Sequence, residues 1–236
     1  MSFLNAEWRK LILVNYEIDP EVLKPYIPSG TELDLWKGKC YISLVGFMFL
    51  NTKMLGLKIP FHINFEEVNL RYYVKRIEGE KIKRGVAFVK EIVPKRAISI
   101  VANVVYKENY ETLKMGHIWK IEPENLFVEY RWRKKGKWYK ISLNAYPTAE
   151  NFPVRSETEF ITEHYWGYAK HGNKTNEYEV THPRWQVYSV KDFLIEVDFE
   201  LLYGKDFAFL NGLEPSSVML AEGSEITVES KRSLKL

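Results

Sequence analysis

From Glu67 to Val74 the chain alternates strictly, with Glu67, Asn69, Arg71 and Tyr73 on one side and Val68, Leu70, Tyr72 and Val74 on the other. Successive side chains of a strand point to opposite faces, so this stretch predicts a strand with one apolar face. The other face carries an acid, an amide and a guanidinium. By pattern alone that polar face meets water, as half of most antiparallel strands do. If the strand instead lines the inside of a closed sheet, the same row marks a ligand cavity.

The same alternation and its interruptions lay out the rest of the chain. Leu11 to Val14 predicts an early strand, and Asp19-Pro20-Glu21 a short helix with Asp19 as cap and Pro20 in first position. Pro25 and Pro28-Ser29-Gly30 end that helix. Leu33 to Trp36, a turn at Lys37-Gly38-Lys39 and the apolar run Cys40 to Leu50 predict a hairpin. A second hairpin is predicted over Leu126–Trp132 and Trp138–Leu143, and further strands at Arg84–Val89 and Glu177–His182. Phe193, Ile195, Val197, Phe199 and Leu201 predict one more strand face, while Ala97 to Tyr106 fits both a strand and a helix buried beneath a sheet. No repeat, linker or low-complexity tract divides the chain, so residues 1–236 are expected to form a single domain.

Composition narrows the class. The chain has 236 residues, enough for a sizeable core. Its 15 Tyr, 13 Phe and 7 Trp, with many β-branched residues, favour sheet. A net charge of +3, dispersed along the chain, gives no footprint for nucleic acid. The basic, aromatic hairpin tip Arg131–Lys140 mimics such a patch, but lysines that discourage edge pairing account for it better. A lone cysteine, Cys40, excludes an internal disulfide and reads as a packed thiol. The longest apolar run, Tyr41 to Leu50, is too short to cross a bilayer, so no membrane partner is expected and the cytoplasm is the default location.

Candidate chemistry is sparse. His62, His117, His164, His171 and His182 lack metal-ligand spacing, and neither a phosphate loop nor a Gly-x-Ser-x-Gly elbow occurs. No metal and no cofactor is expected. His182 precedes Pro183 and is therefore held extended; it suits an acid or base in a cleft, although a hydrogen bond to backbone is the commoner role.

Several stretches together resemble a known family: Ile18–Leu23 through Ile27–Gly30, Gly38–Phe47, Glu67–Val74, Gly85–Phe88 and Thr181–Trp185. In this order and spacing they are similar to the uncharacterised YqjF-like family of the acetoacetate decarboxylase-like superfamily, over nearly the whole chain. The resemblance implies a mainly β fold, a closed, cone-like antiparallel barrel with a few peripheral helices and a small-molecule cavity inside. It would place the polar face of the Glu67 strand indoors. In the decarboxylase a Schiff-base lysine with its ammonium destabilised by a second lysine attacks the substrate, and Glu67 matches a glutamate near it. Where the lysine pair should fall this chain has Asn109-Tyr110-Glu111, flanked by Lys107 and Lys114.

The resulting expectation is a barrel that takes a small carboxylate- or carbonyl-bearing molecule and is not an acetoacetate decarboxylase. Glu67 would act as acid or base and Arg71 as anion clamp, with Glu67 as its internal partner; Asn69, Tyr110 and His182 would complete the binding wall. A non-catalytic binding or sensor module, or a structural subunit with a filled interior, fits the same residues. A homo-oligomer is left open.

Overall fold

The computed structural model describes residues 2–234. Its strands are β1 (Ser2–Ile18), β2 (Glu32–Leu33), β3 (Cys40–Met54), β4 (Phe65–Glu78), β5 (Lys81–Val93), β6 (Tyr110–Thr112) and β7 (Lys114–Glu122). There follow β8 (Asn125–Lys134), β9 (Lys137–Glu150), β10 (Trp166–His171), β11 (Lys174–Thr181), β12 (Val187–Glu196), β13 (Ser217–Glu229) and β14 (Arg232–Ser233). They pair in the order β14-β11-β10-β5-β4-β3-β1-β13-β12-β9-β8-β7, with β2 on β4 and β6 on β5. One more pairing, Val180 with Val228 and Thr181 with Thr227, links β11 to β13. The pairings of β1, β3, β4, β5, β10, β11 and β13 thus return on themselves in a ring, from which β12, β9, β8 and β7 extend. The sheet is not wholly antiparallel: β10 and β6 both run parallel to β5.

The Glu67 strand, β4, lies between β3 and β5 and is covered on both faces. Val68, Leu70, Tyr72 and Val74 belong to one buried cluster with Tyr130, Trp132 and Ile141 of the β8–β9 hairpin and with Leu23 of the Pro20–Tyr26 segment. Val68, Leu70 and Val74 are wholly buried, each stabilising by roughly 1.5–3 kcal/mol relative to exposure. That gain helps hold the elements of this cluster together. The opposite face points inward, where Tyr73 joins Leu13, Val45 and Phe47. Glu67, Asn69 and Arg71 share this inward face and are buried, so the polar row does not meet bulk water.

Short helices fill the gaps. A 3₁₀ turn, Pro20–Tyr26, starts where expected, with Asp19 Oδ1 accepting from the Glu21 amide at 2.9 Å. The ambiguous stretch is helical: α1 (Arg96–Val101) runs into a π-helical turn, Ala102–Tyr106, ended by Lys107 in the left-handed region at φ 64°. It is not sunk beneath a sheet, since Ile100 and Val104 are exposed. The helix α2 (Glu157–Thr162) is capped by Ser156. The strand face expected to reach Leu201 stops at Glu196, and α3 (Phe199–Tyr203) follows. There Asp198 Oδ1 takes the Leu201 amide at 3.0 Å and Asn211 Oδ1 the Phe199 amide at 2.9 Å, satisfying donors that a strand would have given to a neighbour. The first predicted hairpin is also different: Leu33 pairs with Val74 of β4, leaving only a Trp36–Lys39 bridge before β3. The second hairpin forms as expected, in continuous register from Leu126–Ala145 to Lys134–Lys137. No helix among the described residues is long and apolar enough to cross a membrane.

The β1–β13 pairing is tight at one point. Gly223 has φ +81°, and a Cβ there would lie 1.9 Å from the Trp8 carbonyl oxygen. Strain and backbone clash act together, so Gly223→Ala should destabilise the protein by more than about 2 kcal/mol in urea unfolding. A variant as stable as the parent would show that β1 and β13 can separate here without loss.

Candidate functional site

A cavity of about 140 Å³ is lined by residues from every strand of the ring, and its polar wall is made by β4, β5, β6, β11 and the segment after the π-helical turn. Three strands contribute one continuous row. Asn69 is the register partner of Glu91 on β5, and Glu91 is the partner of Tyr110 on β6. The pairing of β4 and β5 slips between Leu70–Lys90 and Arg71–Phe88, leaving Val89 unmatched. This bulge keeps both Phe88 and Glu91 on the cavity side, which uninterrupted alternation would not do.

Glu67 is held by two donors, Asn69 Nδ2 at 2.9 Å and the Tyr110 hydroxyl at 3.2 Å. Burial nevertheless pushes its carboxyl up to about 7, against the pull of those hydrogen bonds and of the Arg71 charge. Glu91, 2 % exposed, lies well above the usual carboxylate range, chiefly through burial and then through Glu108 and Glu67. Glu108 is raised by burial to about 7, although the Tyr178 hydroxyl donates to it at 2.9 Å. Tyr178 crosses β10 at Gly167, where a Cβ would lie 2.1 Å from the Tyr178 ring. Burial also keeps the Tyr110 and Tyr178 hydroxyls protonated.

Arg71 does not pair with Glu67 as expected. Its Nη2 donates to the Ile161 carbonyl of α2 at 3.1 Å, its guanidinium sits 5.6 Å from the Tyr73 ring centre, and its buried Nε has no hydrogen-bond partner. The reason is spacing: four residues of strand separate the two Cα atoms by roughly 13 Å, and Asn69 stands between them. The guanidinium has no carboxylate within ion-pair distance among the described residues, yet Arg71 is only 8 % exposed and borders the cavity.

Asn69, Glu67, Arg71 and Tyr110 are therefore brought together, whereas His182 is not. Its ring is stacked on Trp185 at 4.2 Å and lies against Tyr165, with Nδ1 2.8 Å from the Pro183 carbonyl oxygen. It borders a separate surface hollow with Glu7 and Asn51. His164, in contrast, is on the cavity wall. Its Nε2 is 3.1 Å from Asp34 Oδ2, and Asp34 also accepts from Arg84 Nε at 2.6 Å. Burial takes the imidazole down to about 4 despite Asp34, so it is neutral at pH 7, with Nδ1 buried and unpartnered. No cluster of three or more His, Cys, Asp or Glu suited to a metal ion occurs among the described residues.

The raised carboxyls have a measurable consequence. Between the ordinary value of 4.5 and about 7, the folded Glu67 holds a proton that the unfolded chain has released. Its contribution to stability therefore falls as pH rises through this window and levels off above it. Glu67→Gln should flatten that fall by on the order of 2–3 kcal/mol. Unfolding curves of both proteins at pH 4.5 and pH 7.5 measure it, and identical pH slopes would contradict a protonated Glu67.

Comparison with known proteins places this geometry. The chain is 26% identical over 186 residues to the uncharacterized protein YqjF of Bacillus subtilis, covering 77% of this chain and 74% of that one. Its fold is shared with acetoacetate decarboxylase from Legionella pneumophila, at a TM-score of 0.65 and 11% identity, over 98% of this chain and 87% of the other. The enduracididine biosynthesis enzyme MppR, solved with pyruvate, superposes with a TM-score of 0.68 at 12% identity over 100% and 91% of the two chains. An acetoacetate decarboxylase-like enzyme from Sphingomonas wittichii gives 0.66 and 11% over 100% and 94%. These likenesses agree with the resemblance carried by the Glu67 and His182 motifs. Residues 5–225 match the DUF2071 family of uncharacterized conserved proteins, and the chain belongs to that family.

Proposed function

We propose that the ring of strands works as a closed barrel whose interior takes a small molecule bearing a carboxylate or carbonyl group. The observation that carries this is Arg71: a buried guanidinium at a cavity wall with one carbonyl partner and no carboxylate. An uncompensated buried cation is costly, and an incoming anion would remove the cost. A carboxylate arriving at Arg71 brings its neighbouring carbons towards Glu67. That carboxyl titrates near neutrality and so suits both giving and taking a proton. Tyr110, donating to Glu67, holds it in place. MppR, with the same fold, is described with pyruvate bound, which is a molecule of this class.

The chemistry is proposed to proceed without an amine nucleophile. No lysine borders the cavity among the described residues. Lys114 reaches over the Trp138 ring on the outer hairpin, and Lys107 occupies the left-handed end of the π-helical turn.

Calorimetric titration of the protein with pyruvate, acetoacetate and propionate tests the proposal. At least one should bind, and Arg71→Met should weaken it by at least about tenfold without lowering apo stability, because no internal ion pair is broken. Failure of all three to bind at millimolar concentration, or unchanged binding to a folded Arg71→Met variant, overturns the clamp.

A further inference from the structure

The cavity wall holds more acid than a carboxylate clamp can use. Glu67, Glu91 and Glu108 face an interior in which Arg71 is the single cation among the described lining residues. Besides His164 Nδ1, two buried acceptors on this wall have no donor. Glu91 Oε2 is without a hydrogen-bond partner, and so is Asn69 Oδ1, although both residues are only 2 % exposed. They belong to register partners, so the two orphaned acceptors project from adjacent strands at one level of the cavity. Arg71 is one inward position further along β4, roughly 7 Å away at the Cα. Along β4 the unpaired guanidinium of Arg71 thus stands one step from the two orphaned acceptors of Asn69 and Glu91.

We infer that the ligand is an aminocarboxylate, its carboxylate on Arg71 and its ammonium on Glu91 and Asn69. This rests on the carboxylate clamp proposed above and adds the chemistry of the ligand's other end. An ammonium offers three donors and a positive charge, which meets both orphaned acceptors and offsets the mutual repulsion of the three acids. A cavity of about 140 Å³ bounds the ligand's size: a dry cavity of about 150 Å³ takes a molecule the size of benzene. That admits a short amino acid and excludes a nucleotide or a long acyl chain.

The groups facing Glu91 are Glu67, Asn69 and Arg71 from β4, Tyr110 from β6, Glu108 after the π-helical turn and Tyr178 from β11. Burial raises all three acids above the usual carboxylate range, Glu67 and Glu108 to about 7. An ammonium bound among them makes their ionised forms favourable, so protons leave to solvent as the ligand enters. A plain carboxylate of equal length, held at Arg71 alone, has no such effect on the acid cluster.

The test is titration calorimetry of the full chain at pH 7 in two buffers of different ionisation heat. The probes are glycine, β-alanine and 4-aminobutyrate, each against the matched carboxylate and the matched hydroxy acid. At least one amino acid should bind at least about tenfold more tightly than both counterparts, with proton release that the counterparts lack. Glu91→Gln should shrink that advantage to about threefold or less while leaving the carboxylate's own affinity in place. Carboxylates that bind with no gain from the amine overturn this inference and leave the clamp standing. Failure of every probe sinks both. An amine advantage that survives in Glu91→Gln, or that comes without proton release, also overturns it. The proton count on the unaltered protein decides the matter if Glu91→Gln does not fold.

Discussion

Everything at the site depends on β4 being covered on both faces. A half-exposed strand would let Glu67 and Arg71 reach water, and the Glu67 carboxyl would keep its ordinary range. Here the apolar side chains Val68, Leu70 and Val74 share one buried cluster with the β8–β9 hairpin and the 3₁₀ turn, and Glu67, Asn69 and Arg71 on the other face are buried as well. The polar face is therefore carried into a low-dielectric space by the burial of the residues that alternate with it. The transfer free energy of one face meets the desolvation cost of the other, along a single strand.

The ring itself is secured on its outer side by ions. Glu177 on β11 is fully buried and accepts from Arg232 Nε at 2.6 Å, while Arg76 and Lys83 lie 3.3 Å from it. Glu78 joins the same network through Arg76 and Arg232. These contacts tie β4, β5, β11 and β14 together close to where β11 meets β13. Burying one carboxylate among three cations satisfies it fully, which is the opposite arrangement to the under-satisfied groups inside the ring. The same residue types are thus fully paired on one side of the sheet and left under-satisfied on the other.

Much of this was legible in the residues. The period-two run at Glu67 to Val74 identifies the strand and groups Glu67, Asn69 and Arg71 on one face, and the family resemblance turns that face inward. Asp19 and Pro20 announce the first turn. What alternation could not reveal lies where the backbone departs from it. Glu91 reaches the wall through a bulge, Glu108 through an irregular segment after a π-helical turn, and His164 through a loop that pairs it with Asp34, distant in sequence. His182, singled out by its neighbour Pro183, is turned aside by two aromatic rings that no local pattern identifies as its partners. The expected Glu67–Arg71 pair failed for a simpler reason, since sharing a face does not bring two side chains within reach across an intervening Asn69.

The bulge at Val89 has a consequence for how such a cavity can change character. Lys90 and Glu91 are adjacent; Lys90 now points outward, its Nζ on the Leu202 carbonyl at 2.6 Å, while Glu91 borders the interior. In an unbulged β5 continuing from Phe88, the ammonium and the carboxyl would trade places. The sign of charge facing the interior is then set by one step of main-chain register, with no residue replaced. Within this fold an acid-lined interior and an amine-bearing one stand a single backbone irregularity apart.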